Sequence, residues 1–179
     1  CTPLPTPAWA RGKAERVVDG AATISPIITY FAAEHQGFHG QDGQWSSIVT
    51  DADAEDLLDI FRRIVASGRA VAIMGHYSHP VELSTPIAQE AVKRIRATGA
   101  NIRMQSPLIR HVNDDPEIWA ELWNTGVRLG CIPYYFFVER DTGARGYFET
   151  PLEKCHEIFA EAFQKVSGLG RTVRGPSMS

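Results

Sequence analysis

From Thr50 onward, apolar positions in helical rhythm alternate with short unbroken apolar runs. Leu57, Leu58, Phe61, Ile64 and Val65 make a stripe at helical spacing. Thr50 and Asp53 resemble a capping box ahead of it, and Gly68 closes it. Ala70–Gly75 follows as a short apolar run, the pattern of a strand covered on both faces. A second helix starts at Thr85-Pro86, with Ile87, Ala91, Val92 and Ile95 inward and Lys93, Arg94 and Arg96 outward, and ends at Gly99. Asn101–Gln105 reads as the next strand, leading into a polar loop with Ser106, Arg110, His111, Asn113 and Asp114. Asp115-Pro116-Glu117 is a strong helix start, and Ile118, Trp119, Leu122, Trp123 and Val127 are its apolar stripe, with the tryptophans expected in the core. Cys131–Val138 is the third strand, and Glu139–Phe148 the loop after it. A last helix opens at Pro151 and turns Leu152, Ile158, Phe159, Ala162, Phe163 and Val166 inward. The tail Leu169–Ser179 has no period.

Strands therefore start about every thirty residues, the length of one βα unit, and parallel strands need such crossovers. The fold class expected is α/β, a partial (β/α) TIM-like barrel of about three consecutive βα units. Such barrels carry their chemistry at the carboxyl ends of the strands. Here those ends hold His76 and His79, then Gln105 and Arg110, then Glu139, Arg140 and Asp141. About three units do not close a barrel, so free strand edges are expected. Either the chain is part of a larger fold or it assembles with a partner, a second copy included.

Residues 1–45 carry no defensible assignment. Pro3, Pro5 and Pro7 favour extended chain, and Ala21–Ala33 admits a strand or a short helix. His35 and His39 have the spacing of helical metal ligands, but Gly37 and Gly40 favour a solvated loop. Over the 179 residues, 44% are apolar and the net charge is −3. That balance makes no case for a nucleic acid or an anionic membrane as partner. No apolar run approaches the roughly 18 residues of a spanning helix. Cys1, Cys131 and Cys155 are too few and too scattered for a disulfide framework and point to the cytoplasm. Cys1 in place of Met suggests a partial sequence rather than a lipid-bearing terminus.

His76-x-x-His79 by itself invites a metal reading, but a metal site needs further converging ligands and none stands out. No Gly-rich phosphate loop is present. Several blocks together are more specific. Gly75-His76-Tyr77-Ser78-His79-Pro80-Val81-Glu82-Leu83-Ser84 is similar to the His-Phe-x-His-Pro-x-Glu stretch of the lysine 2,3-aminomutase family. Met104-Gln105 through Arg110 to Asn113-Asp114 resembles its Asn-Gln … Arg-Gly-x-Asn-Asp. Pro133-Tyr134-Tyr135, Gly146-Tyr147-Phe148, Pro151 and Ser167-Gly168 match further blocks in order. The resemblance covers roughly residues 46–179, read as the second half of a radical S-adenosylmethionine barrel.

The resemblance implies S-adenosylmethionine, a [4Fe-4S] cluster and pyridoxal phosphate as cofactors, and an amino acid as the small-molecule substrate. The reaction implied is migration of its amino group to the neighbouring carbon. It places His76 and Gln105 on the S-adenosylmethionine side, and makes Arg110, Asn113 and Asp114 organisers of the loop beneath. No residue is singled out as directly catalytic and none as a metal ligand. In lysine enzymes of the family an aspartate after the Tyr-Tyr strand grips the distal ammonium. Arg140 takes that place here, with Asp141 one residue later, so the expected substrate need not be lysine; a one-residue shift that presents Asp141 and an Arg140 turned to solvent are the alternatives. The chain contains no Cys-x3-Cys-x2-Cys run for the cluster, and no Gly-Lys for pyridoxal phosphate follows Pro176. An incomplete copy, inactive alone, is the expectation. A metal-dependent TIM-barrel enzyme using His76 and His79, and a non-catalytic remnant or interaction module, stay as alternatives.

Overall fold

The computed structural model of the protein describes residues 54–138 and 145–177. The readings for residues 1–45, the Thr50–Asp53 cap, and Glu139, Arg140 and Asp141 fall outside the described residues. In order come α1 (Ala54–Ala66), β1 (Ala72–His76), α2 (Pro86–Ala97), β2 (Asn101–Leu108) and α3 (Pro116–Arg128). They are followed by β3 (Ile132–Val138), the one-turn α4 (Arg145–Phe148), α5 (Leu152–Gln164) and β4 (Arg174–Ser177). Tight 3-10 turns occupy Pro80–Leu83 and Gly170–Thr172. No helix among the described residues is long and apolar enough to cross a membrane.

The helix starts are those the sequence signals. Thr85 Oγ1 accepts from the Ala88 amide at 3.3 Å with Pro86 at the first position of α2. The Asp115 carboxylate accepts from the Glu117 amide at 2.8 Å with Pro116 opening α3. Gly130, at φ 80°, reverses the chain after α3 in a conformation a side chain would oppose.

The fold is α/β, with a four-stranded parallel sheet in the order β1-β2-β3-β4. β4 is a finding against expectation, because the tail shows no period. It pairs with β3 at Tyr135↔Arg174 and Phe137↔Ser177. Gly175 makes this possible: a Cβ there would run into the Phe136 carbonyl oxygen, so only glycine lets the two backbones meet. β2 also runs beyond Gln105 to Leu108, so Ser106 is a strand residue and not a loop residue.

The strands are not covered on both faces. Along β2, Ile102, Met104, Ser106 and Leu108 are buried, while Arg103, Gln105 and Pro107 between them are half-buried. β1 alternates likewise, with Ile73 and Gly75 buried and Met74 and His76 less so. One sheet face is therefore covered and the other is only partly covered. The α5 stripe is also shifted: Leu152 is 49% exposed, and Cys155, Ile158 and Ala162 point inward.

The described residues form two compact units. One comprises those up to Met74 with Thr85–Ile102, the other Gly75–Ser84 with those from Arg103 onward. In the first, Leu58, Phe61, Ile64, Ala88, Val92 and Ile95 supply the core, and Arg94 reaches Glu55 at 2.6 Å to join α1 and α2. In the second, Trp119 and Trp123 of α3 pack on Phe136 of β3 at centroid distances of 4.4 and 6.3 Å, and Phe159 of α5 closes the cluster. The expectation of core tryptophans holds, since both are almost fully buried. Burial of side chains this large contributes about 2–3 kcal/mol each.

Candidate functional site

All the candidate residues within the described set lie in the second unit, on the partly covered sheet face or in the loops beyond its carboxyl edge. His76 ends β1, and its ring meets Phe137 of β3 edge to face, with centroids 6.4 Å apart. Burial holds its pKa below the usual imidazole value, because the charged form loses water it cannot replace. Gln105 sits opposite Tyr135 in the β2–β3 register. Its backbone carbonyl accepts from the Tyr77 amide at 3.2 Å, and its carboxamide makes no hydrogen bond among the described residues. A neutral imidazole and a free carboxamide thus share one half-buried surface. That suits a polar, uncharged or cationic ligand better than an anion.

The loop after β1 is held by Glu82. Its carboxylate accepts from the Ser78 amide at 2.8 Å and the His79 amide at 2.9 Å, and His79 Nδ1 accepts from the Val81 amide at 3.3 Å. This is a capping box with histidine at the cap. Desolvation raises the Glu82 pKa against the opposing pull of those two amides. His79 therefore spends one ring nitrogen on the turn.

The loop after β2 is held by Asn113, which is fully buried. Its Oδ1 accepts from the Ile109 amide at 2.6 Å, and its Nδ2 donates to the carbonyls of Ser78 at 2.9 Å and Pro107 at 3.0 Å. Ser106 Oγ donates to Ser78 Oγ at 3.3 Å. Trp119 Nε1 donates to the Asn113 carbonyl at 2.6 Å, anchoring the loop on α3. Arg110 and Asp114 are exposed. Arg110 joins the frame through its backbone, donating its amide to the Phe148 carbonyl at 2.9 Å. His111, at φ 67°, stacks on Tyr147 at 4.7 Å.

The structure thus leaves His76 and Gln105 half-buried at the sheet, ties the loops beyond it through Asn113, and leaves the Arg110 and Asp114 side chains in solvent. Glu82 and Ser78 escaped the sequence reading as supports. Glu82 had a signal, an acid three residues after a potential cap. Ser78 had none, since its partners lie 28 and 35 residues away.

The groups implied by the resemblance can be set against the donors present. Two buried cysteines, Cys131 and Cys155, do not make the three converging thiolates that a cluster needs. Lys93, Lys154 and Lys165 lie on or at the end of helices, paired with glutamates at 3.4, 3.1 and 2.5 Å, so none of them offers an amine at the strand ends. The described residues do not fit a cluster or a pyridoxal phosphate anchor. Among them, no three His, Cys, Asp or Glu side chains converge to hold a metal ion, which gives the His76/His79 metal reading no support.

A parallel α/β sheet with polar groups gathered at its carboxyl edge defines the class, consecutive βα units of the barrel kind. No family model matches the chain. The chain is 32% identical over 123 residues to a putative L-lysine 2,3-aminomutase of Aquifex aeolicus, covering 68% of this chain and 33% of the relative. A second Aquifex aeolicus protein, also described as a putative L-lysine 2,3-aminomutase, is 32% identical over 116 residues, 65% of this chain and 30% of the relative. The L-lysine 2,3-aminomutase of Escherichia coli is 29% identical over 114 residues, 64% of this chain and 32% of the relative. The chain belongs to the lysine 2,3-aminomutase family. It spans about one third of the length of these curated relatives.

Proposed function

We propose that the chain forms part of an aminomutase of the radical S-adenosylmethionine type, an isomerase that moves the amino group of an α-amino acid to the neighbouring carbon. The carrying observation is that His76, against Phe137, and Gln105, opposite Tyr135, are both half-buried on the sheet, in a family member whose relatives are L-lysine 2,3-aminomutases. A half-buried histidine kept neutral can sit beside a sulfonium cation without repulsion, and the Gln105 carboxamide offers both a donor and an acceptor to an adenosine. Asn113, Glu82 and Ser78 hold the loops that frame this face. The cofactors supply the radical chemistry. No step is derived through a cluster or pyridoxal phosphate, for which the described residues provide no anchor. Three cysteines too scattered in the sequence for a disulfide framework suit a cytoplasmic setting.

The substrate side chain is assigned to Arg140 and Asp141. A guanidinium where lysine enzymes carry a carboxylate favours an acidic amino acid. The test uses the polypeptide from the complete reading frame that carries this segment, reconstituted anaerobically with iron, sulfide and pyridoxal phosphate. With S-adenosylmethionine and a one-electron reductant such as dithionite supplied, the expected outcome is formation of 5′-deoxyadenosine and of β-glutamate when glutamate is added, lowered about tenfold or more in His76→Ala. Arg140→Asp should move the preference toward lysine. Absence of both products with acidic amino acids and lysine alike would overturn the aminomutase reading, and an unchanged preference in Arg140→Asp would overturn the substrate assignment.

A further inference from the structure

A second polar cluster lies on the same partly covered sheet face, nearer the amino ends of the strands. The β2–β3 ladder carries a bulge: Met104 faces Pro133 and Gln105 faces Tyr135, so Tyr134 is an extra residue. Pro133 has no amide to offer the ladder, which suits a bulge. The bulge resets the alternation of β3. Pro133 and Phe136 are buried, whereas Tyr134 and Tyr135 are both half-buried, with ring centroids 4.3 Å apart.

Two arginines converge on the first of these rings. The Arg103 guanidinium, from β2, lies 5.0 Å from the Tyr134 centroid. The Arg174 guanidinium, from β4, lies 5.8 Å from it. Each contact is a cation–π attraction. It leaves the N–H donors of both side chains unspent, and neither guanidinium has a carboxylate or a hydrogen-bond partner among the described residues. Other cations are treated differently. Arg62 pairs with Glu55 and Asp59, Arg94 with Glu55, and Lys165 with Glu117 and Glu161. Two like charges gathered on one tyrosine without an acid are stabilised by an anion between them. Guanidinium forks match the oxygens of a carboxylate or a phosphate, and the Tyr134 hydroxyl adds one more donor. Gly175 brings β4 close enough to β3 for Arg174 to take part.

We infer that Arg103, Tyr134 and Arg174 form an oxyanion-binding subsite for the carboxylate or phosphate group of a small molecule. It lies one ladder step from Gln105 and continues the surface that carries His76 and Gln105. Its chemistry is complementary to theirs: the His76 end suits a neutral or cationic group, and this end an anionic one.

The test is a titration of the 179-residue chain with inorganic phosphate, acetate and chloride, followed through the Arg Nε–Hε resonances. Saturable shifts at Arg103 and Arg174 with phosphate or acetate but not chloride, with Arg62 unmoved, support the subsite. The tighter-binding probe gives the ligand class. Arg103→Gln and Arg174→Gln should each weaken binding about tenfold, the effect of losing one charged hydrogen-bonding partner. The exposed Arg174→Gln serves if the other variant does not fold. Linear shifts shared by Arg62, or an equal response to chloride, would overturn it. The titration uses neither S-adenosylmethionine nor turnover, so its failure is separate from failure of the aminomutase reading.

Discussion

The Asn113 carboxamide donates to the Ser78 carbonyl at 2.9 Å, joining the loop after β2 to the loop after β1. Ser78 is bonded through every polar atom it has: its amide to Glu82, its carbonyl to Asn113 and its hydroxyl to Ser106. The two loops that flank His76 and Gln105 are thereby held in one frame.

Replacing Asn113 removes this tie and two others. Asn113→Ala removes the partner of the Ile109 amide and of the Ser78 carbonyl around a fully buried position, while the Pro107 carbonyl keeps the Ser106 hydroxyl. The expected loss of stability is about 3 kcal/mol, given roughly 1–3 kcal/mol for each buried group left without a partner. Urea unfolding of the chain measures it. A loss under about 1 kcal/mol would mean that the loops hold without Asn113.

Glu82 sets a pH dependence of definite sign. Burial raises its folded pKa above the usual carboxyl value. Between those two values the folded state binds more protons than the unfolded one, so stability falls as pH rises. The contribution is fully present below about pH 4.3 and is lost as pH rises through the folded pKa. Glu82→Gln keeps an oxygen for the Ser78 and His79 amides and removes the charge. Its unfolding free energy should lack that decline, and it should equal or exceed the parent at pH 7. A parallel decline in both proteins would assign the effect to another group.

Gly175 is a position where shape alone decides. A Cβ there meets the Phe136 backbone, which has no free rotation to yield. Gly175→Ala should cost about 2 kcal/mol as overpacking and loosen β4 from β3. Thermal unfolding reads the first effect and faster amide exchange at Phe137 and Ser177 reads the second. Unchanged exchange would mean that the two strands accommodate a Cβ without loosening.

Much of the fold was legible because its signals are local. Thr85-Pro86 and Asp115-Pro116 start helices through caps made within four residues. Trp119 and Trp123 repeat at helical spacing and are core. The candidate site was legible only in part. Resemblance put His76 and Gln105 on the cofactor side and made Arg110, Asn113 and Asp114 organisers of the loop; Asn113 bonds the loop backbone through its side chain, whereas the Arg110 and Asp114 side chains face solvent. The difference turns on which side of the loop each residue takes, which a pattern of letters does not contain.

By itself, then, the sequence determined the alternation of helix and strand, the parallel α/β class, the helix caps and the family. All follow from neighbours along the chain or from the order of short blocks. The tertiary structure decided what depends on residues far apart. Arg174–Ser177 holds a glycine and a proline and has little strand propensity of its own; pairing with β3 makes it a strand. The Tyr134 bulge exists only against β2, and it turns two successive rings to one face. The single-sided burial of the strands, the Ser78 junction and the two arginines on Tyr134 have the same origin. Each is a contact between elements, and its energy has no counterpart until those elements are packed.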